Sequence, residues 1–241
     1  MQAAVALLRL YSVIYAISGT GERVRASPKA EATCPECNDD VVPKCGRIMV
    51  WHWAHTSNNS CDNWGEEGKW HSEWKLLLPP ERTEYIIERG GEKHRADYYS
   101  PKGITVEFQH SSIKPEEIEK RESFYGPNMI WVFDLQGQTE QECTFFLVRG
   151  GDITLPRFEI KERDGDYVTF RWRRPRASIK HVRANIYFDL GDNDMLRVGK
   201  IYMEEPPCGG YGWLLSKEKF LSFINPPLPP PPLPPPQGSL F

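Results

Sequence analysis

The sequence predicts an α/β (α+β) fold in four parts. These are an N-terminal β-hairpin and zinc-binding module (residues 1–64), an αβββαβ core (65–138), a β-rich C-terminal extension (139–224) and a proline-rich tail (225–241). Three observations predict it. Cys34-Pro35-Glu36-Cys37 is followed by Cys45, His52, His55 and Cys61, the spacing of a zinc site. Between residues 65 and 133 the hydrophobic pattern runs helix, three strands, helix, strand. From Pro226 to Pro236 nine prolines impose polyproline II, which has no internal hydrogen bonds and buries no core.

The chain has 241 residues, 39% apolar and 26% charged, which gives room for a substantial core and excludes general disorder. Thirty Lys and Arg against thirty-three Asp and Glu leave a net charge of −3, so nucleic-acid affinity must come from a local patch. A membrane span needs about 20 mostly apolar residues, and no polytopic pattern exists, so no membrane partner is expected. Cysteines spaced for metal rather than for disulfides imply a reducing, cytoplasmic setting.

Ala3 to Ile17 is apolar apart from Arg9 and Ser12. Nothing basic precedes it, so Val13–Ile17 reads as a strand rather than part of a signal peptide, turning at Gly19-Thr20-Gly21 into a second strand, Glu22–Ala26. Cys34 and Cys37 are the fixed half of the zinc site. Ile48 to Trp53 alternates like a strand, which would send His52 and His55 to opposite faces if it ran through both. A turn at Ala54 would let His55 and Cys61 complete a Cys3His set; a helical turn would let both histidines bind.

Gly65–Leu78 reads as a helix ended by Pro79-Pro80. Glu67, His71 and Lys75 recur every four residues and share one face beside Trp70, Trp74 and Leu77. Strands follow at Glu84–Glu88, His94–Tyr99 and Thr105–Ser111, with turns at Gly90-Gly91 and Pro101-Lys102-Gly103. Pro115 opens a helix to Tyr125 with Glu116 and Glu117 in its first turn, suiting the dipole. Met129–Phe133 is a buried strand.

Asp97 on the second strand and Glu107 on the third, with Gln109 and Ser111 on the Glu107 face, bring two carboxylates together. Such a pair is costly unless a hard cation such as Mg²⁺ joins it. The plainer reading is a wetted strand face, and the Glu67, His71, Lys75 row shifts the balance. Lys75 alternatively reads as a surface lysine favoured by the helix dipole.

Ordered matches at Cys34-Pro35-x-Cys37, His52-Trp53-Ala54-His55, Glu67-x2-Trp70-His71-x2-Trp74-Lys75, Gly91 to Asp97, Val106 to Ser111, Arg121-x3-Tyr125 and Trp131 to Asp134 span Tyr15 to Asp134. In these the sequence resembles the PD-(D/E)XK nuclease superfamily and, more closely, the competence protein CoiA-like nucleases. The resemblance implies a restriction-endonuclease-like core, an N-terminal zinc module with structural Zn²⁺, and Mg²⁺- or Mn²⁺-dependent hydrolysis of DNA. It implies that Asp97 and Glu107 hold the metal with support from Glu67, while Gln109, His71 and Lys75 orient water or phosphate. Gln109 stands where the superfamily often has lysine, so Lys75 or His71 could supply the water-orienting group, with Gln109 itself as the alternative. Arg121 and Tyr125, one turn apart, are candidates for DNA phosphate. Recombination or DNA-processing proteins are the expected partners. The alternative is a catalytically inactive DNA-binding protein on the same frame.

Beyond residue 139, Thr144–Val148, Tyr167–Trp172 and Asn185–Leu190 read as strands. Arg171, Arg173 and Arg174 open a run without acids to Arg183, and Phe170 and Trp172 interleave with them, as a nucleic-acid groove requires. A solvated strand face explains the arginines equally well. Gly209-Gly210-Tyr211-Gly212 reads as a flexible loop.

Overall fold

The computed structural model describes residues 12–47, 49–56, 61, 68–136, 157–173, 175–204 and 208–227. The N-terminal strands are β1 (Ser12–Val13), β2 (Tyr15–Ile17), β3 (Arg23–Arg25), β4 (Ala32–Thr33), β5 (Asp40–Lys44) and β6 (His52–His55), in the sheet order β1-β6-β5-β4-β2-β3. The predicted hairpin is β2 and β3, paired from Tyr15 with Arg25 to Ile17 with Arg23. Its turn closes through the Gly21 N–H donating to the Ser18 carbonyl at 2.9 Å. Gly21 has φ +85°, where a side chain would be strained. Val13, Ala16, Val41 and Trp53 bury a small core together with Cys34 and Cys61.

The next elements follow the predicted order. They are α1 (Lys69–Leu76), β7 (Thr83–Arg89), β8 (Glu92–Tyr99), β9 (Thr105–Gln109), α2 (Pro115–Tyr125) and β10 (Met129–Asp134). Gly90 and Gly91 both have positive φ, as a two-residue hairpin between β7 and β8 needs. Helix α2 starts at Pro115 and stops at Gly126, and it carries the chain over to β10, which pairs in parallel with β9.

The C-terminal half adds β11 (Phe158–Asp164), β12 (Tyr167–Trp172), a 3-10 turn (Ala177–His181), β13 (Asn185–Gly191), β14 (Asp194–Tyr202), β15 (Cys208–Ser216) and α3 (Lys217–Ile224). These strands continue the core sheet, in the order β11-β12-β15-β14-β13-β10-β9-β8-β7. Strand β13 runs parallel to β10, setting Asp189 beside Asp134. The extension and the core are therefore one nine-stranded layer. Helices α1 and α3 cover one face, where Trp70, Trp74, Phe220 and Ile224 pack on Phe108, Val132 and Tyr187. Helix α2 covers the other, with Ile118 and Tyr125 against Trp131 and Phe133. Among the described residues no helix is long and apolar enough to cross a membrane.

Gly209–Gly212 is not a loop. It lies within β15, paired with both β12 and β14. A Cβ on Gly210 would lie 2.3 Å from the Phe170 ring and 2.4 Å from the Lys200 carbonyl, and one on Gly212 would lie 2.3 Å from the Arg197 carbonyl. Glycine here serves close approach between strands, not flexibility. The strand expected at Thr144–Val148 and most of the proline-rich tail lie outside the described residues.

The glycines give a graded test. Gly212→Ala should lose about 1–3 kcal/mol in urea unfolding, the usual cost of overpacking. Gly209→Ala meets its nearest atom at an ordinary 3.6 Å and should lose less. Equal stability of the two variants would contradict the packing described.

Candidate functional site

The first site is a cluster of cysteines and a histidine in the N-terminal module. The ligand atoms of Cys34, Cys37, His55 and Cys61 all lie within 4.8 Å of one another. The Cys34 and Cys61 sulfurs are 3.7 Å apart, and His55 Nε2 is 3.4 Å from the Cys37 sulfur and 3.7 Å from that of Cys61. Zn–S bonds of about 2.3 Å on a tetrahedron put sulfurs about 3.8 Å apart, so this Cys3His set can hold a zinc ion. Burial pushes the Cys37 and Cys61 thiols up, Cys61 strongly, so a cation is needed to keep them as thiolates. His52 is not a ligand. Strand β6 runs through His55, so the two histidines, three residues apart, face opposite ways, and His52 Nδ1 lies 2.8 Å from the Val50 carbonyl instead. The described cysteines form no disulfide.

The second site lies where α1 crosses the core sheet. Buried Asp189 on β13 fixes the helix: its Oδ2 accepts from Trp70 Nε1 at 2.9 Å and from Trp74 Nε1 at 2.8 Å. Trp74 also stacks on Phe108, ring centres 5.1 Å apart. With the tryptophans held to the sheet, His71 and Lys75, one turn apart, face Asp97 on β8. His71 Nε2 is 2.7 Å from Asp97 Oδ2, and Lys75 Nζ is 3.1 Å from Oδ1. The Phe108 N–H donates to Asp97 Oδ2 at 2.8 Å.

Glu107 on β9 is equally buried. Its Oε1 accepts from the Asp97 N–H at 3.4 Å, and its Oε2 accepts from Arg121 Nη1 at 2.6 Å. Burial alone would raise Asp97, but the His71 and Lys75 charges outweigh it and hold this carboxyl well below the usual carboxylate range. Burial and then the Asp97 charge push Glu107 up to about 7, against the opposing pull of Arg121. One carboxylate is thus fixed as an anion while its neighbour titrates near neutrality.

Lys75 is not a surface lysine. Only 1% of it is exposed, and its second anion is Glu84, at 3.3 Å. Glu84 sits in β7 at φ +51°, between the paired positions Thr83 and Tyr85, with no exposed surface. Its carboxylate also accepts the Ile14 N–H at 2.9 Å and the Tyr15 N–H at 3.1 Å, from the N-terminal module. The module is tied on further by Arg23 Nη2 donating to the Thr83 carbonyl at 2.8 Å. Sequence reasoning missed Glu84, because Thr83-Glu84-Tyr85 reads as ordinary strand alternation. It missed Asp189 as well, although a lone acid in Ile186-Tyr187-Phe188-Asp189-Leu190 was a signal.

The other candidates are dispersed. Gln109, the last residue of β9, turns its amide to the Ser111 carbonyl at 2.9 Å. Arg121 is buried and committed to Glu107 and Glu117, and Tyr125 is buried in the apolar core, so neither reaches outward to DNA. Both lie on the sheet-facing side of α2. Arg171 is exposed, whereas Arg173 pairs with Glu159 at 3.2 Å. Phe170 and Trp172 are core residues and offer no stacking faces. Glu67 and Arg174 lie outside the described residues.

The family model for the N-terminal domain of competence protein CoiA matches residues 21–63, the segment that carries all four zinc-competent side chains. No curated protein and no solved structure matches the chain.

Metal analysis of the purified chain should find one zinc. His55→Ala and Cys61→Ser should lose it, and His52→Ala should keep it. Zinc lost from His52→Ala but retained by His55→Ala would reverse the assignment. Glu84→Ala should cost about 3–5 kcal/mol in urea unfolding, because it takes one of the two anions from buried Lys75 and strands two N–H groups in the interior. A cost below about 1 kcal/mol, the level of an exposed pair, would show that Glu84 does not join the module to the core.

Proposed function

We propose that this chain is a nuclease that hydrolyses DNA phosphodiester bonds with a divalent ion held by Asp97 and Glu107, acting in DNA processing or recombination. The observation that carries the proposal is the buried Asp97–Glu107 pair on adjacent strands, with the Lys75 ammonium at its edge. The donor set suits Mg²⁺ or Mn²⁺, since Mg²⁺ commonly takes one or two carboxylates and completes its shell with water and substrate phosphate. Burial first, and the ionised Asp97 second, push Glu107 up to about 7, and a divalent ion bound to both carboxylates would offset both. When bound, such an ion polarises a phosphoryl oxygen and lowers the pKa of a water molecule.

The chain's own groups divide the remaining work. Lys75 supplies the fixed positive charge that the superfamily often carries on the third strand, and it attracts the phosphate anion or orients the water. Its place between Glu84 and Asp97 keeps it charged and still. His71, held at Asp97 through Nε2, keeps Nδ1 as a second proton site and can pass a proton at that atom. Arg121 keeps Glu107 aimed at Asp97 and acts by positioning rather than by meeting DNA. The similarity of residues 21–63 to the N-terminal domain of competence protein CoiA accords with the CoiA-like motifs of the sequence, from which DNA is taken as the substrate.

Asp97→Ala and Glu107→Ala should each lower magnesium-supported cleavage of plasmid or single-stranded DNA by at least about a hundredfold, above the 10–100-fold typical of groups behind a metal ligand. Cleavage at the wild-type rate by both would sink the assignment. Lys75→Met should lower the rate too, and it should also lower the melting temperature, because the residue is buried in an ionic pair.

The pH dependence follows from Glu107. Its folded value of about 7 lies above its ordinary value, so it favours the metal-free fold at low pH and loses that contribution as pH rises through 7. Metal needs the ionised form, so affinity for Mn²⁺ should climb from pH 6 to 8 and then level, with a proton released below 7. Calorimetry showing an affinity independent of pH across that range would contradict Glu107 as a ligand.

A further inference from the structure

We propose that the outer face of β14, β15 and β12 binds single-stranded nucleic acid, stacking bases on Tyr211, Trp213 and Tyr167 and meeting phosphates with Arg197 and Lys200. Directly paired residues of antiparallel strands share a face. Trp213 stands opposite both Tyr167 and Arg197, and Tyr211 stands opposite Lys200, so these side chains share one surface. The opposite surface of the same strands holds Val168, Phe170, Trp172 and Leu196 in the core. The outward rings are therefore additional to the apolar residues that the fold consumes.

The three rings form a contiguous group. Their centres lie 5.9 Å apart for Tyr167–Tyr211, 5.8 Å for Tyr211–Trp213 and 6.1 Å for Tyr167–Trp213. Trp213 is 40% exposed, Tyr167 39%, and Tyr202 at the end of β14 47%. Gly199 makes room for them: a Cβ there would lie 2.4 Å from the Tyr211 ring and 2.9 Å from that of Trp213. The missing side chain lets two large rings, edge to face at 84°, close over the strand.

The charges select the ligand. Arg197 lies over Trp213 at 5.6 Å and Lys200 over Tyr202 at 5.1 Å. These two cations and exposed Arg171 have no carboxylate partner among the described residues, whereas Lys161, Arg173 and Lys217 nearby each have one. The acids of this face, Glu159, Glu162 and Asp164, stand on the edge strand β11. A polyanion is therefore favoured along β14 and β15. Aromatic faces alternating with unpaired cations are how sequence-tolerant single-strand binding works. A duplex hides its base faces and cannot use the rings. Strand β15 lies four strand spacings from β9, about 19 Å across the sheet, so the platform is separate from Asp97 and Glu107.

The test is fluorescence anisotropy of the full chain, without added magnesium, on a labelled thymidine oligonucleotide of about 16 nucleotides and on a duplex of equal length. Without magnesium no cleavage is required, so the result is independent of the hydrolytic proposal. Trp213→Ala and Tyr211→Ala should each weaken single-strand binding about tenfold to a hundredfold. Arg197→Gln with Lys200→Gln, both on exposed positions, should lower the log–log salt slope by about 1.4, two contacts at about 0.7 each. Thermal melts of all variants identify any loss that is merely unfolding, and the glutamine pair keeps the test decisive in that case. Unchanged affinity and slope in the glutamine pair, or a duplex that binds as tightly and suffers equally from the ring variants, would overturn the proposal.

Discussion

An ammonium group with 1% of its surface exposed stays charged inside a protein only where anions surround it, and Lys75 meets that condition between Glu84 and Asp97. The rest of the site follows from this arrangement. Asp97 is held ionised because His71 and Lys75 face it, and its charge adds to burial, the larger cause, in pushing Glu107 up towards neutrality. Glu84 in turn is steadied by two N–H groups of the N-terminal module, so three parts of the chain meet at one cation. Removing Lys75 leaves Glu84 without its cation, and removing either carboxylate leaves Lys75 with one anion in place of two.

The helix that carries Lys75 is short, eight residues, and at that length it draws its stability from packing. Asp189 provides the anchor from β13, 119 residues after Trp70. Gln136 and Lys217 also donate to its Oδ2, at 3.0 and 3.4 Å, so the anchor links α1, β10 and the start of α3. The C-terminal half therefore completes the site instead of forming a separate attachment. Strands β14 and β15 extend the same sheet, and their outward rings turn a structural continuation into a second surface.

Much of the core was legible because its patterns are local. Pro115 and Gly126 bracket α2, Gly90-Gly91 marks a tight hairpin, and Met129–Phe133 is a buried run. The four-residue spacing of His71 and Lys75 correctly put both on one face. Residues whose role depends on distant partners were not legible. Glu84 acts through Ile14, 70 residues away, and nothing local separates it from a wet-face glutamate. Arg121 looked available because its partner Glu107 approaches only in the fold. Strand β15 was misread because Gly209, Gly210 and Gly212 resemble a loop until Phe170 and the β14 backbone are seen pressing on them. The zinc-competent set was half legible: Cys34 and Cys37 by spacing, and His55 over His52 only once β6 was known to run through both.

The proposed divalent-ion site of Asp97 and Glu107 lies beside the buried Lys75. The most direct measurement is a crystal structure of the chain with Mn²⁺, read by anomalous scattering at the manganese edge. The manganese peak should be bonded to one oxygen of each carboxylate, with Lys75 still between Glu84 and Asp97. Manganese bound elsewhere, with the Asp97–Glu107 pair empty at saturating metal, would contradict it.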